Sequence, residues 1–288
     1  MKIKPIAFDS LGTRSMCTVV ETCEAKIVID PGAALGPRRY GLKPHRIELE
    51  RLRAHKALIR EESEDADILI ITHYHYDHFP RPEENVSWIR GKQVYLKDPS
   101  SMINRSQRGR SSIFLEQLRR IDVVPERADG RELKMNSCRI VFSQPVQHGN
   151  DARLGYVLEV LVDEDGEKLI HTSDVEGLVS WEQVEFIARY RPQTLIVDGP
   201  MTYMLGTKFF EEDLETSLRN LCKVMDMGLE TLVLDHHLLR ELEWRNRVSK
   251  LFQKAEEVGV AVMSAAEYAG LREEPLEAMR RKLYEMYP

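Results

Sequence analysis

Long apolar runs, paired cysteines, repeats and excess positive charge are all missing from this 288-residue chain. Aliphatic stretches such as Ile68-Leu69-Ile70-Ile71 stop far short of the roughly 20 residues that cross a bilayer as a helix, which excludes a helical membrane span. The opening residues Met1-Lys2-Ile3-Lys4-Pro5 lack the apolar stretch and small-residue cleavage site of a secretory signal, so a cytoplasmic protein is expected. The cysteines are Cys17, Cys23, Cys138 and Cys222; none forms a C-x-x-C pair, and a chain of this size needs no disulfide staples, so they read as reduced thiols. No G-x-S-x-G element or Cys/His pairing marks a protein nucleophile. A net charge of −6 argues against bulk polyanion binding, although a local basic patch stays open.

What is present suffices for a core. The chain is 42% hydrophobic and 31% charged, which excludes a disordered segment and points weakly to a thermophile. Short apolar, β-branched runs alternate with helical patterns. Strands are predicted at Lys26–Asp30, Asp67–Thr72, Gln93–Leu96 and Arg139–Phe142. A hairpin is predicted from Gly155–Val162 to Lys168–His171, turned by Asp165-Gly166. Strands at Thr194–Val197, Thr231–Leu234 and Val260–Met263 follow, separated by helices near Trp181–Tyr190, through Leu214 to Met225, and near Trp244–Glu257. An exposed helix is expected from about Pro44 to Glu62, and a capping helix from Glu273 onward. Sheets with helices outside them give an α/β layered fold. No linker divides the chain, so residues 1–288 read as a single domain, with residues 81–147 as a substrate-selecting insertion.

The histidines and aspartates cluster just beyond strand ends: Asp30, His73 to His78, His148, Asp174, Asp198, and Asp235-His236-His237. A rigid apolar sheet that presents polar side chains from its strand ends is a common support for a metal site. The segment His73-Tyr74-His75-Tyr76-Asp77-His78 carries the strongest signal. Two histidines two apart in an extended segment project the same way and can share one ion; Asp77 and His78 can turn toward a second. Three histidines and one aspartate at fixed places arise by chance in on the order of one chain in a thousand. A nitrogen-rich donor set makes zinc the first expectation, with iron or manganese as alternatives. His171 reads as a hydrogen-bonded core residue, and His45 and His55 as solvated residues of a charged helix. Asp198 reads equally as a support behind the site or as the start of a turn with Gly199-Pro200. The cluster Arg105, Arg108, Arg110, Arg119 and Arg120 reads as a solvated face or a phosphate contact.

This segment resembles the H-x-H-x-D-H signature of the metallo-β-lactamase superfamily. His148, Asp174 and a late histidine fall in that superfamily's order, Asp30 sits where an aspartate closes an early strand, and Ser10-Leu11-Gly12-Thr13 is similar to the opening turn of the RNA-processing branch. Within the superfamily the chain resembles most an archaeal group of predicted metal-dependent hydrolases. The resemblance implies a four-layered αββα sandwich and two divalent metal ions. It implies His73, His75 and His148 around the first ion, Asp77, His78 and a late histidine around the second, and Asp174 between them. His236 is favoured as the late histidine because Leu232-Val233-Leu234-Asp235-His236 resembles the nuclease branch, with His237 as the alternative. Asp30 would orient a ligand histidine, and Asp77 would also accept a proton.

The implied activity is hydrolysis by a metal-activated hydroxide. The substrate would be a phosphoester, on an RNA end or a phosphorylated small molecule, or else a lactone or thioester. An aspartate at position 174 disfavours the branch that places cysteine there. The short stretch from Asp174 to His236 leaves no room for the large inserted domain of the nucleic-acid-clamping subgroup. Two other readings stay open: an iron-dependent oxidoreductase on the same scaffold, and a non-catalytic, metal-stabilised module that binds nucleic acid. The expected partner is a small-molecule or RNA substrate, with no membrane and no disulfide partner.

Overall fold

Side-chain alternation along the strands sorts the apolar residues into three clusters, and these set four layers. The computed structural model describes residues 1–287. Among these residues one sheet contains, side by side in chain order, Lys2–Phe8 (β1), Met16–Glu21 (β2), Lys26–Ile29 (β3), Ile68–Ile71 (β4), Gln93–Leu96 (β5) and Glu126–Arg127 (β6). Strands β1 to β3 are antiparallel, whereas β3 to β6 run parallel. Glu132–Lys134 (β7) and Cys138–Phe142 (β8) begin a second sheet, and Val146–Gln147 (β9) pairs with Tyr156–Val157 (β10) as a small ribbon. Val160–Glu164 (β11), Glu167–His171 (β12), Thr194–Asp198 (β13), Thr231–Asp235 (β14) and Ala261–Met263 (β15) complete the second sheet, in the order β15-β14-β13-β12-β11-β8-β7.

In β3 and β4, Ile27, Ile29, Ile68 and Ile70 enter the cluster shared by the two sheets, while Val28, Leu69 and Ile71 face outward. The same alternation in the second sheet sends Leu169, Ile196 and Val233 inward and Ile170, Leu195, Val197, Leu232 and Leu234 outward. Every strand that is apolar on both faces must therefore be covered on both. Arg46–Glu64 (α1) and Arg105–Arg120 (α2) cover the first sheet through Ile59, Phe114 and Leu118. Glu182–Tyr190 (α3), Glu211–Met225 (α4), Trp244–Arg247 (α5) and Ser249–Val258 (α6) cover the second, with Ile187, Leu221 and Leu251 fully buried. Ala265–Tyr268 (α7) closes the rim between the sheets, and Leu276–Met286 (α8) lies against α1. This is the αββα sandwich.

The Asp165-Gly166 turn has φ of 51° and 91°, both left-handed, as the hairpin between β11 and β12 requires. Three expectations change. The hairpin's first strand starts at Val160, because Tyr156–Val157 pairs with β9 instead. The helix expected from Trp244 to Glu257 is broken at Val248 into α5 and α6. His45 and His55, expected in solvent, are buried: His45 is the N-cap of α1, and His55 Nδ1 lies 2.7 Å from Thr13 Oγ1. The stretch 81–147 supplies β5 and β6 to one sheet and β7 and β8 to the other, so its strands are integral to the sandwich. Its remaining element, α2, was not visible as a helix behind its arginines.

Candidate metal centre

Parallel strands deliver their C-terminal ends to one rim of a sheet, where ligands are usually held. Here the segments leaving β3, β4, β12 and β14 meet at one rim, and three of them turn through non-glycine residues in left-handed conformation. Asp30, Ser173 and His236 have φ of 53°, 55° and 56°. Such residues cost about 1–3 kcal/mol each and persist where packing enforces them. Gly32 is needed for a different reason: a Cβ there would run into the backbone of His78 and Phe79.

A polar floor joins the two sheets below the histidines. Asp30 accepts from the Thr72 amide at 2.9 Å and from Ser173 Oγ at 2.8 Å, and the Thr72 and Ser173 hydroxyls are 2.6 Å apart. Above that floor, ring nitrogens converge on Asp174. Its Oδ2 lies 2.7 Å from His148 Nε2, 3.5 Å from His73 Nε2, 3.5 Å from His75 Nδ1 and 3.6 Å from His78 Nε2. Its Oδ1 lies 3.8 Å from His236 Nε2, which is 3.9 Å from Asp77 Oδ2. Four overlapping donor groups result: His73, His75, His148 and Asp174; Asp30, His73 and His78; Asp77, His78 and His236; and Asp174, His236 and His237.

Three of the rings, His78, His236 and His73, are held from behind. His78 Nδ1 lies 2.9 Å from Asp30 Oδ2, and His236 Nδ1 lies 2.8 Å from Asp9 Oδ2. Thr72 Oγ1 lies 3.1 Å from His73 Nδ1. Glu176 Oε1 stands 3.6 Å from His148 Nδ1. A carboxylate at Nδ1 fixes the ring with Nε2 free as an acceptor. Among the described residues, His73 Nε2 and His78 Nε2 are buried with no hydrogen-bond partner. Unpaired buried polar atoms are costly, and two aimed at one point are accounted for by a missing cation. Nitrogens on a tetrahedral ion would sit about 3.4 Å apart, close to the spacings above. The donor set therefore fits divalent metal, of a type and number that the geometry does not specify.

The electrostatics pull the rings in two directions. Burial opposes charge on His78 and His148, but Asp30 holds the first up at about 9 and Asp174 raises the second. Burial opposes charge on Asp30, but His78 at its side outweighs that and holds it down to about 2. Burial likewise opposes charge on Asp174, which His148 and His237 hold well below the usual carboxylate range. Burial pushes the His73 and His236 rings well below the usual imidazole range, reinforced by His78 in the first case and Arg240 in the second. Neutral imidazole is the form that binds metal.

His237 takes a different place from His236. Its Nδ1 lies 2.9 Å from Asp198 Oδ2 and 3.1 Å from Asp174 Oδ1, and its ring stacks parallel to Tyr203 at 6.4 Å. Asp198 thus stands behind the site. Asp235 instead accepts from the Ser10 and Ala265 amides, away from the cleft. His171 Nε2 reaches the Met16 carbonyl at 2.9 Å, as a core histidine does. Of the arginine cluster only Arg110 faces the cleft; Arg119 and Arg120 pair with Glu116. Asp9, Glu176, Thr72 and Ser173 were missed. Asp9 follows β1 as the other site residues follow their strands, but β1 itself went unread.

Comparison with known proteins agrees with this geometry. Residues 12–79 match the family model of the metallo-β-lactamase superfamily. A metallo-β-lactamase-fold protein, YhfI of Bacillus subtilis, superposes with TM-score 0.51 at 13% identity, covering 91% of this chain and 94% of its own. An isothiocyanate hydrolase from Delia radicum gut bacteria superposes with TM-score 0.50 at 18% identity, over 91% and 95% of the two chains. The fold is therefore that of the metallo-β-lactamase superfamily. A UPF0282 protein of Korarchaeum cryptofilum is 48% identical over 288 residues, covering 100% of this chain and 96% of the relative. The chain belongs to the UPF0282 family, whose similar members here are archaeal.

Proposed function

We propose that the protein is a dinuclear metal-dependent hydrolase, acting on a phosphoester or on a lactone or thioester. The observation that carries this reading is the convergence of buried, partnerless His73 Nε2 and His78 Nε2 on the Asp174 carboxylate, with oxygen acceptors behind both rings. His73, His75 and His148 would hold one ion, Asp77, His78 and His236 the other, and Asp174 would bridge them. Divalent ions in that cradle, with zinc expected first, supply Lewis acidity toward the scissile group and bring the pKa of water toward neutrality.

The chain's own groups do the rest. Asp77 lies at the cleft surface, and burial, which would raise its pKa, is outweighed by His78 and His236, so its carboxylate stays ionised. It is placed to hold the nucleophile's proton. Asp30 and Asp9 keep the rings of His78 and His236 in one tautomer and orientation. His237, which faces the cleft beside Asp174, is positioned to donate a proton to a leaving group.

The test is metal analysis of the purified chain with a screen of phosphodiester, lactone and thioester substrates. Two ions per chain and turnover of one class are expected; His75→Ala should lose metal and at least about 100-fold of the activity while remaining folded. No retained metal after reconstitution, with no turnover, contradicts the proposal.

A further inference from the structure

Four guanidinium groups line the cleft beside Asp77 and Asp174, in a chain of net charge −6. Two are already satisfied. Arg14 grips Glu277 through Nε and Nη2, each at 2.6 Å, and Arg240 Nε donates to Asp9 at 2.9 Å. The other two differ. Among the described residues neither Arg81 nor Arg110 has a carboxylate within ion-pair distance. Arg110 Nη1 donates to the Tyr74 carbonyl at 3.1 Å. Both guanidinium carbons lie 5.1 Å from the centroid of the Tyr76 ring, which stacks on Phe79 at 5.4 Å. Tyr76 sits inside the metal-binding segment, between His75 and Asp77. The aromatic ring thus fixes two cationic forks next to the metal centre and leaves their charge uncompensated.

Arg119, Arg120 and Arg131, on the outer surface, pair with glutamate. Arg81 and Arg110 are half-buried, have no counter-ion among the described residues and share a cleft with His75, Asp77, His148 and Asp174, so an anion from outside can meet them there. A planar fork matches phosphoryl oxygens in a way that a lactone or thioester carbonyl cannot use. A local positive pair in an acidic protein also concentrates anionic substrate at the site. The cleft measures ≈ 270 Å³ and opens to solvent, and the net charge of −6 weighs against a polyanionic nucleic acid, which favours a small phosphorylated molecule.

We propose that Arg81 and Arg110, braced on Tyr76, grip a phosphate group of the substrate, and that the substrate is a phosphorylated small molecule. This deepens the hydrolase reading and rests on it for what happens next, but phosphate capture is measurable without turnover.

The experiment titrates inorganic phosphate into the full chain by calorimetry, in metal-loaded and chelator-treated forms, for the natural protein, for Arg81→Gln/Arg110→Gln and for Arg110→Lys. The double variant should bind phosphate at least about tenfold more weakly in both forms, with unchanged metal content and melting temperature. Arg110→Lys, which keeps charge without the fork, should lie between the two. Equal affinity in the natural and double-variant proteins overturns the clamp, as does binding that vanishes on chelation with both arginines intact. A 5′-phosphorylated RNA 12-mer should bind no more tightly than about tenfold over inorganic phosphate; a larger preference overturns the small-molecule assignment. If the chain turns out to hydrolyse nothing, the phosphate titration still decides the clamp. If the double variant keeps full activity on a phosphoester, the clamp fails while the hydrolase reading stands.

Discussion

Asp30 is one carboxylate with several duties: it takes the Thr72 amide, the Thr72 and Ser173 hydroxyls and His78 Nδ1. It ties the end of β3 to β4 and to the loop after β12, so it both joins the sheets and aims a ring. Asp30→Asn keeps the shape but presents an amide where donors already point. It should weaken metal retention by about 10–100-fold in chelator competition while the far-ultraviolet spectrum stays native; unchanged retention would show that His78 needs no such support. Glu159 is a second isolated case. It is fully buried, both carboxyl oxygens lack partners among the described residues, and burial alone pushes its pKa well above the usual range. The folded state therefore holds this proton when the unfolded chain, at about 4.3, has released it. Stability from this group is complete below that pH and is lost as pH rises toward the folded value. Glu159→Gln should raise the melting temperature at pH 8 more than at pH 4; the reverse order, or no difference, would contradict the sign.

Among the elements, α8 shows how distant sequence supports the cleft. Arg280 donates to Glu48 of α1 at 2.8 and 2.7 Å, with both side chains fully buried, and Glu277 of the same helix holds Arg14 at the cleft wall. Removing one member of a buried pair strands the other. Arg280→Ala should cost about 3–5 kcal/mol in urea unfolding; a cost under about 1 kcal/mol would mean that α8 is held by its apolar face alone. Element by element, the sequence was most readable where a strand is buried on both faces, as in β4, β13 and β14. There an apolar run has one meaning. It was least readable at β1, an edge strand whose lysines mix with apolar residues, and at α2, whose apolar positions Phe114 and Leu118 are sparse among arginines. The buried His45 and His55 were misjudged because what covers them comes from distant sequence: His45 Nε2 lies 2.8 Å from the Tyr287 carbonyl oxygen and His55 Nδ1 2.7 Å from Thr13 Oγ1.

In the whole molecule, the site exists because two sheets present their strand ends at one rim. That convergence was legible as a pattern: polar ligand types following apolar runs, beginning with His73 to His78. Its supporting shell was not. Glu176 has no local signature and Asp9 follows a strand that went unread; they meet His148 and His236, 28 and 227 positions away in the sequence. Nor could charge counting locate the cleft, since four arginines gather there in a net acidic chain. The most direct test of the central claim is anomalous scattering at the metal edge from crystals of the reconstituted protein. The account predicts two peaks on either side of Asp174, one against His73, His75 and His148 and one against Asp77, His78 and His236. A single peak elsewhere, or none within reach of Asp174 in fully reconstituted protein, would contradict it.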